Sequence, residues 1–273
     1  MIVLSLDTSS HATSCALVEL GAGGEVAALA ESLHLPPARA GDLLPAALAS
    51  LCAQAGRQLS HVSGMAVGIG PGSFTGLRVG LASAKGLCYA RRWPLRGASS
   101  LEALALAAWD GHPHGTVLVP ALEARRGELF VAAFAPLPGV TGEDAGRPPR
   151  GLTRLRADAV LQVAEVPGWL RGLPGAPLLA GPGARQNRAA LLAAGVPEAS
   201  LERAAGGSAG AGTEARAWPT ALAVAVLVAR TLREATYDAP ALFALAPDYL
   251  TPSEPEKALA EGRVGKLPGA PAR

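Results

Sequence analysis

Apolar residues run in short blocks and alternations through the first third of the chain. IVLSLDTSS and HATSCALVEL read as two β-strands joined by a polar turn, and GEVAALAESL as a third strand after the glycine cluster at 21–24. That opening is a β-meander. AGDLLPAALASLCAQAG then changes to helical spacing and stops at Gly56, with Pro45 expected in the first turn or at a bend. The strand MAVGI, the glycine-rich GPGSFTG at 70–76, a helix from about Thr75 to Tyr89 and a short run PLRGAS follow. Meander, helix, strand, helix, strand predicts an α/β unit in residues 1–98.

The pattern starts again further on. A helix, SLEALALAAWDG, leads to TVLVPALEARRGELFVAAFAP, two β-runs around a turn at EARRG that open a second sheet. Residues 136–151 and 203–219 are dense in Gly, Pro, Ala and charge without periodicity and read as loops or insertions. LLAGPGA at 178–184 repeats the strand-to-glycine-turn pattern before a helical run through Leu192, and WPTALAVAVLVARTLREA carries the strongest helix pattern of this half. Residues 99–273 are thus expected to form a second lobe, whose late helix near 218–236 can pack back on the first. The tail from Ala239 to Arg273, rich in Pro and charge, is expected on the surface.

Composition narrows the classes. The chain has 273 residues, a length that suits two packed domains, and its 4% aromatic content favours alanine-rich helices packed closely on sheets. Its net charge of +2 lacks the electrostatic footprint of a protein that grips nucleic acid alone. Cys15, Cys52 and Cys88 have no close spacing and read as reduced structural thiols. MIVLSLDTSS has no basic leader region and meets Asp7 early, so it reads as a first buried strand. The longest apolar run, ALAVAVLVA, is about half of the ~20 residues a membrane helix needs, so a soluble cytoplasmic protein is expected.

GPGSFTG invites a phosphate-loop reading, but no window satisfies G-x-x-x-x-G-K-[ST]. Gly68, Gly70 and Gly72 alternate, yet Ser73 or Thr75 stands in place of the third glycine of a dinucleotide fingerprint. What remains is a strand-to-helix turn in which Ser73 or Thr75 caps the helix, with or without a ligand. Asp7 with Thr8 and Ser9 can orient phosphate and magnesium at a strand end, or can cap its own turn. The histidines at 11, 34, 61, 112 and 114 form no His-x-x-x-His, and GGSAG around Ser208 lacks the strand that a nucleophile elbow needs.

Together IVLSLDTSSHATSCALVEL, AVGIGPGSFTGLRVGLASAKGL, the turn in ALEARRGELF, LLAGPGA and PDYL resemble the TsaB (YeaZ) family, whose signature is GPGSFTGLR. The resemblance implies an α/β, two-lobed actin-like (ASKHA, ribonuclease-H-like) fold with mixed sheets flanked by helices. It also implies an accessory dimerisation subunit for TsaD, which makes threonylcarbamoyladenosine at position 37 of tRNAs that read ANN codons. By the same resemblance TsaE is expected in a larger complex, the subunit is expected to pair also with itself, and tRNA is expected to be met only through the complex.

The resemblance further implies no catalytic residue, no metal and no cofactor of its own, because Ser100 and Leu104 fall where the catalytic relative carries its metal-binding histidines. ATP or ADP would sit at the boundary of the complex, with Asp7, Thr8, Ser9, Gly70, Gly72, Ser73 and Thr75 as the phosphate contacts. The partner interface is expected on Leu43, Ala47, Leu51, Phe74 and Arg78, with Ala47 and Leu51 on the side of the first helix away from its own sheet. Arg39, Glu123 and Thr251 depart from the residues usual in the family. The alternative function is an independent actin-like ATPase or small-molecule kinase using Asp7 and the loop.

Overall fold

Alternation along the first strand decides how the first half is layered. The computed structural model describes residues 1–35, 40–109, 115–136, 152–202 and 217–251. In β1 (Ile2–Asp7), Leu4 and Leu6 point to one side of the sheet and Val3 and Ser5 to the other, and both sides are buried. β1 pairs antiparallel with β2 (Thr13–Leu20), which pairs antiparallel with β3 (Val26–His34). On its other edge β1 pairs parallel with β4 (Val62–Gly68), and β4 pairs parallel with β5 (Leu95–Ala98). The order is β3-β2-β1-β4-β5.

The second sheet repeats this scheme. β6 (Thr116–Arg125), β7 (Glu128–Pro136) and β8 (Leu152–Gln162) form an antiparallel meander, and β9 (Ala176–Ala180) joins β6 in parallel, giving β8-β7-β6-β9. The hairpin turn falls at Arg126 and Gly127, within the expected EARRG. β8 was not foreseen: LTRLRADAVLQ is an edge strand whose polar positions and half-exposed surface give it no block of apolar residues to announce it.

Helices α1 (Ala40–Gln54) and α2 (Phe74–Arg91) cover one face of the first sheet. Pro45 lies inside α1, beyond the first turn, on its exposed side. Gly56, at φ +60, closes the helix while the Arg57 amide donates to Cys52 at 2.8 Å. Helix α3 (Ser100–Ala108) is apolar almost all round because it is shared: Ala103 and Leu106 pack in the first half's core, Leu101, Leu104 and Ala105 against the second sheet. The short helices α4 (Val166–Leu170), α5 (Pro182–Gln186) and α6 (Arg188–Ala193) lie with the second sheet.

Helix α7 (Ala221–Arg233) returns to cover the other face of the first sheet, where Val224, Val228 and Leu232 pack with Val3, Ala16 and Val18. Its start is tied down by two buried hydroxyls: Ser5 donates to the Ala221 carbonyl at 2.6 Å, and Ser14 accepts from the Ala221 amide at 2.9 Å. The residues after it correct the expectation of a surface tail. Tyr237 to Leu250, including α8 (Ala239–Ala244), run along α2 as a strap, with Leu242 only 4% exposed and Leu245 packed beside it in the first core. A Pro- and charge-rich composition hid two apolar anchors. Residues 252–273, most of the two insertions, Arg39, His112, His114 and Ser208 lie outside the described residues.

If the strap is part of the core, Leu242→Ala should destabilise the protein by about 2–4 kcal/mol in urea denaturation. A surface tail would give a change under about 0.5 kcal/mol.

Candidate functional site

The glycine loop at 70–76 links β4 to α2, and it is filled by the chain's own β1–β2 turn. The Ser73 amide donates to the Ser9 carbonyl at 2.6 Å, and the Thr8 hydroxyl donates to the Gly76 carbonyl at 2.7 Å. A Cβ at Gly72 would overlap Ser9, one at Gly76 the Thr8 carbonyl, and one at Gly80 the Thr8 hydroxyl. Glycine at these positions lets two backbones meet. Gly70, at φ +108, also lies under the Asp248 carbonyl of the strap. Ser73 caps α2 by accepting from the Gly76 amide at 3.2 Å.

Asp7 is buried beneath this turn. Its Oδ1 accepts from the Ser9 amide at 2.9 Å and the Ser9 hydroxyl at 2.6 Å, and its Oδ2 from the Ser100 hydroxyl at 2.7 Å. Ser100 in turn accepts from the Gly70 amide at 3.2 Å, so strand, loop and α3 meet on one carboxylate. Burial raises the Asp7 carboxyl above its ordinary 3.8, and the bonds from Ser9 and Ser100 offset only part of that desolvation. Leu104, one turn after Ser100, is fully buried against Gly181 of the second glycine turn, where a Cβ would stand 2.5 Å from it.

The structure divides the expected nucleotide contacts into two groups. Asp7, Thr8 and Ser9 are brought to the loop, where at 1–2% exposure their side chains serve internal bonds. Gly70 is buried, Gly72 is half-buried, and Ser73 and Thr75 are exposed at the start of α2. Among the described residues no group of three or more His, Cys, Asp or Glu side chains is placed to hold a metal. From the other half Glu123 approaches this turn, its carboxylate 3.9 Å from the His11 ring nitrogen, and it also accepts from Gln186 at 3.3 Å.

The partner expectation divides likewise. Ala47 and Leu51 face the first sheet, at 6% and 0% exposure, and Leu43 packs partly buried beside them. The broad apolar stripe of α1 is core because it fills the groove between sheet and α2, so the expected face was the wrong one. Phe74 and Arg78 instead stand on the outer side of α2, with the Arg78 guanidinium carbon 3.8 Å from the Phe74 ring centre. Sequence reasoning missed their companions: Tyr89 and Phe243, 58% and 59% exposed with ring centres 5.6 Å apart, and Tyr249, whose ring centre is 5.0 Å from that of Phe74. One signal was available, since all three tyrosines of this aromatic-poor chain, at 89, 237 and 249, lie on α2 or the strap.

Two substitutions within α2 test the close approach. Gly76→Ala should cost about 2–3 kcal/mol through overlap with Thr8, although alanine is the better helix former. Gly86→Ala, with open space around it, should stabilise by about 0.5–1 kcal/mol. Equal effects in thermal or urea unfolding would contradict the packing described.

Asp7 gives a pH test. A raised folded pKa means that the native state holds the proton more tightly than the unfolded chain, so wild-type stability falls as pH rises from about 3.8 to the folded value. Asp7→Asn keeps an acceptor for Ser9 without the charge. It should be at least as stable as wild type near neutral pH, with the difference closing as the pH falls towards 4. A large loss for Asp7→Asn at neutral pH would show that the carboxylate's hydrogen bonds outweigh its desolvation.

This chain is similar to the TsaB protein of Haemophilus influenzae, 37% identical over 130 residues that make up 48% of this chain and 52% of that protein. It is also similar to the TsaB protein of Escherichia coli, 34% identical over 134 residues, 49% of this chain and 55% of that protein. The chain thus spans about half the length of the curated relatives it matches. A family model described as TsaD, tRNA N6-adenosine threonylcarbamoyltransferase, matches residues 41–147. The fold superposes on YeaZ from Pseudomonas aeruginosa with a TM-score of 0.64 and 23% identity, covering 91% of this chain and 99% of that one. Among the described residues no helix is long and apolar enough to cross a membrane. Over about half its length the chain is thus similar to TsaB proteins, and its two mixed sheets share the fold of YeaZ.

Proposed function

We propose that this chain is the accessory subunit of tRNA threonylcarbamoyladenosine biosynthesis, binding and activating a TsaD transferase through the outer face of α2 and doing no chemistry itself. The observation that carries the reading is the contrast between the two ends of the site. Asp7, Thr8 and Ser9, the expected phosphate contacts, spend their polar groups on bonds within the chain, whereas the neighbouring helix exposes Arg78 and Tyr89 beside Phe243. Exposed aromatic and arginine side chains in one patch are the usual composition of interface hot spots. The reading draws its reaction from the names of the curated TsaB relatives and of the matching TsaD family model. In it, tRNA and TsaE are met through the complex, and self-pairing competes for the same face of α2.

Ala82 and Tyr89, seven residues apart on the exposed side of α2, are the place to test it. Ala82→Glu with Tyr89→Glu should leave circular dichroism and melting unchanged and weaken binding to the TsaD of the same organism by more than about 100-fold, since charges would be buried unpaired. Modification of tRNA reconstituted with that TsaD should fall with it. A folded double variant that still supports modification would place the contact elsewhere. Robust ATP hydrolysis by the isolated chain, abolished by Asp7→Ala, would instead favour the independent ATPase or kinase.

A further inference from the structure

We infer that the strap prepares Arg78 as a rigid fork for a carboxylate on the partner protein, an inference that rests on the reading of α2 as the partner-binding helix. Arg78 is exposed, yet two neighbours hold it. Its guanidinium lies on the Phe74 ring, and its Nε donates to the Tyr249 hydroxyl at 3.0 Å. Tyr249 is itself fixed, because the adjoining Asp248 amide donates to the Ile69 carbonyl at 2.7 Å at the mouth of the glycine loop. Among the described residues the two terminal nitrogens of Arg78 have no partner. An arginine stacked and oriented in this way has already lost the rotamer freedom that binding would otherwise remove. Its remaining planar pair of donors matches two acceptor oxygens.

The surroundings favour a protein carboxylate over an RNA phosphate. Helix α2 carries Arg78, Lys85 and Arg91 and no acidic residue, which complements an acidic surface. The same face also presents Tyr89 and Phe243, more than half exposed, and Lys85 holds the Phe243 carbonyl at 2.9 Å, so the strap is stapled to α2 at both ends of the patch. Apolar area of that kind suits a protein surface. The chain's net charge of only +2 opposes a phosphate backbone.

The test is the affinity of the full chain for the same organism's TsaD, measured by calorimetry for wild type, Arg78→Lys, Arg78→Ala, Tyr249→Phe and the Arg78→Ala/Tyr249→Phe pair. Arg78→Lys should lose about tenfold or more, close to Arg78→Ala, because a point charge does not replace the fork. Tyr249→Phe, which keeps the ring and removes the hydroxyl, should lose about three- to tenfold without lowering the melting temperature of the isolated chain. The double variant should bind no more weakly than Arg78→Ala, since the tyrosine acts through the arginine. Wild-type binding that Arg78→Lys and Tyr249→Phe leave unchanged would overturn this inference alone, as would loss of tRNA affinity in Arg78→Ala with TsaD binding intact. Failure of the wild type to bind TsaD would overturn the underlying reading and this inference with it.

Discussion

The first half of the molecule depends on how closely one backbone turn can approach another. Between β1 and β2 the chain turns through Thr8 and Ser9, and that turn presses onto Gly72, Gly76 and Gly80 with no room for a single extra carbon. Once seated, it fixes the start of α2, closes the space above Asp7 and brings Ser100 of α3 onto the same carboxylate. A glycine-rich loop after a strand is therefore ambiguous by itself. The same freedom from side chains that admits a phosphate also admits a peptide, and here the peptide belongs to the protein.

Much of the architecture was legible because it rests on local pattern. The meander, the strand before the loop, the hairpin around EARRG and the amphipathic helix after Thr220 each show the period of their element within a dozen residues. What escaped depended on distant partners. Nothing in LTRLRADAVLQ shows that β7 awaits a third strand, and Leu242 looks like one apolar residue in a polar tail until α2 and the sheet supply its contacts. The apolar width of α1 was read correctly but assigned to the wrong neighbour, because α2 and the sheet together surround more of a helix than a sheet alone. Motifs located Asp7, Ser73 and Arg78. Only geometry separated the buried network from the exposed fork.

The strap links these two regions. It enters the core through Leu242 and Leu245, crosses the glycine loop at Asp248, and reaches the outer face of α2 with Tyr249. The loop thus orients the outer face of α2 from below while the strap completes it from above. In a chain with so few aromatic residues, three exposed rings and a stacked arginine shared between α2 and the strap are concentrated chemistry.

Hydrogen exchange at the loop, followed residue by residue with and without magnesium and ATP, tests most directly whether the turn fills the loop permanently. The account predicts that the amides of Ser73, Gly70 and Ser100, which donate to Ser9, Ser100 and Gly70, exchange only with global unfolding and do not respond to nucleotide. Rapid exchange at these amides that slows when nucleotide is added would contradict it, since it would mean that the turn lifts away and the loop takes phosphate instead.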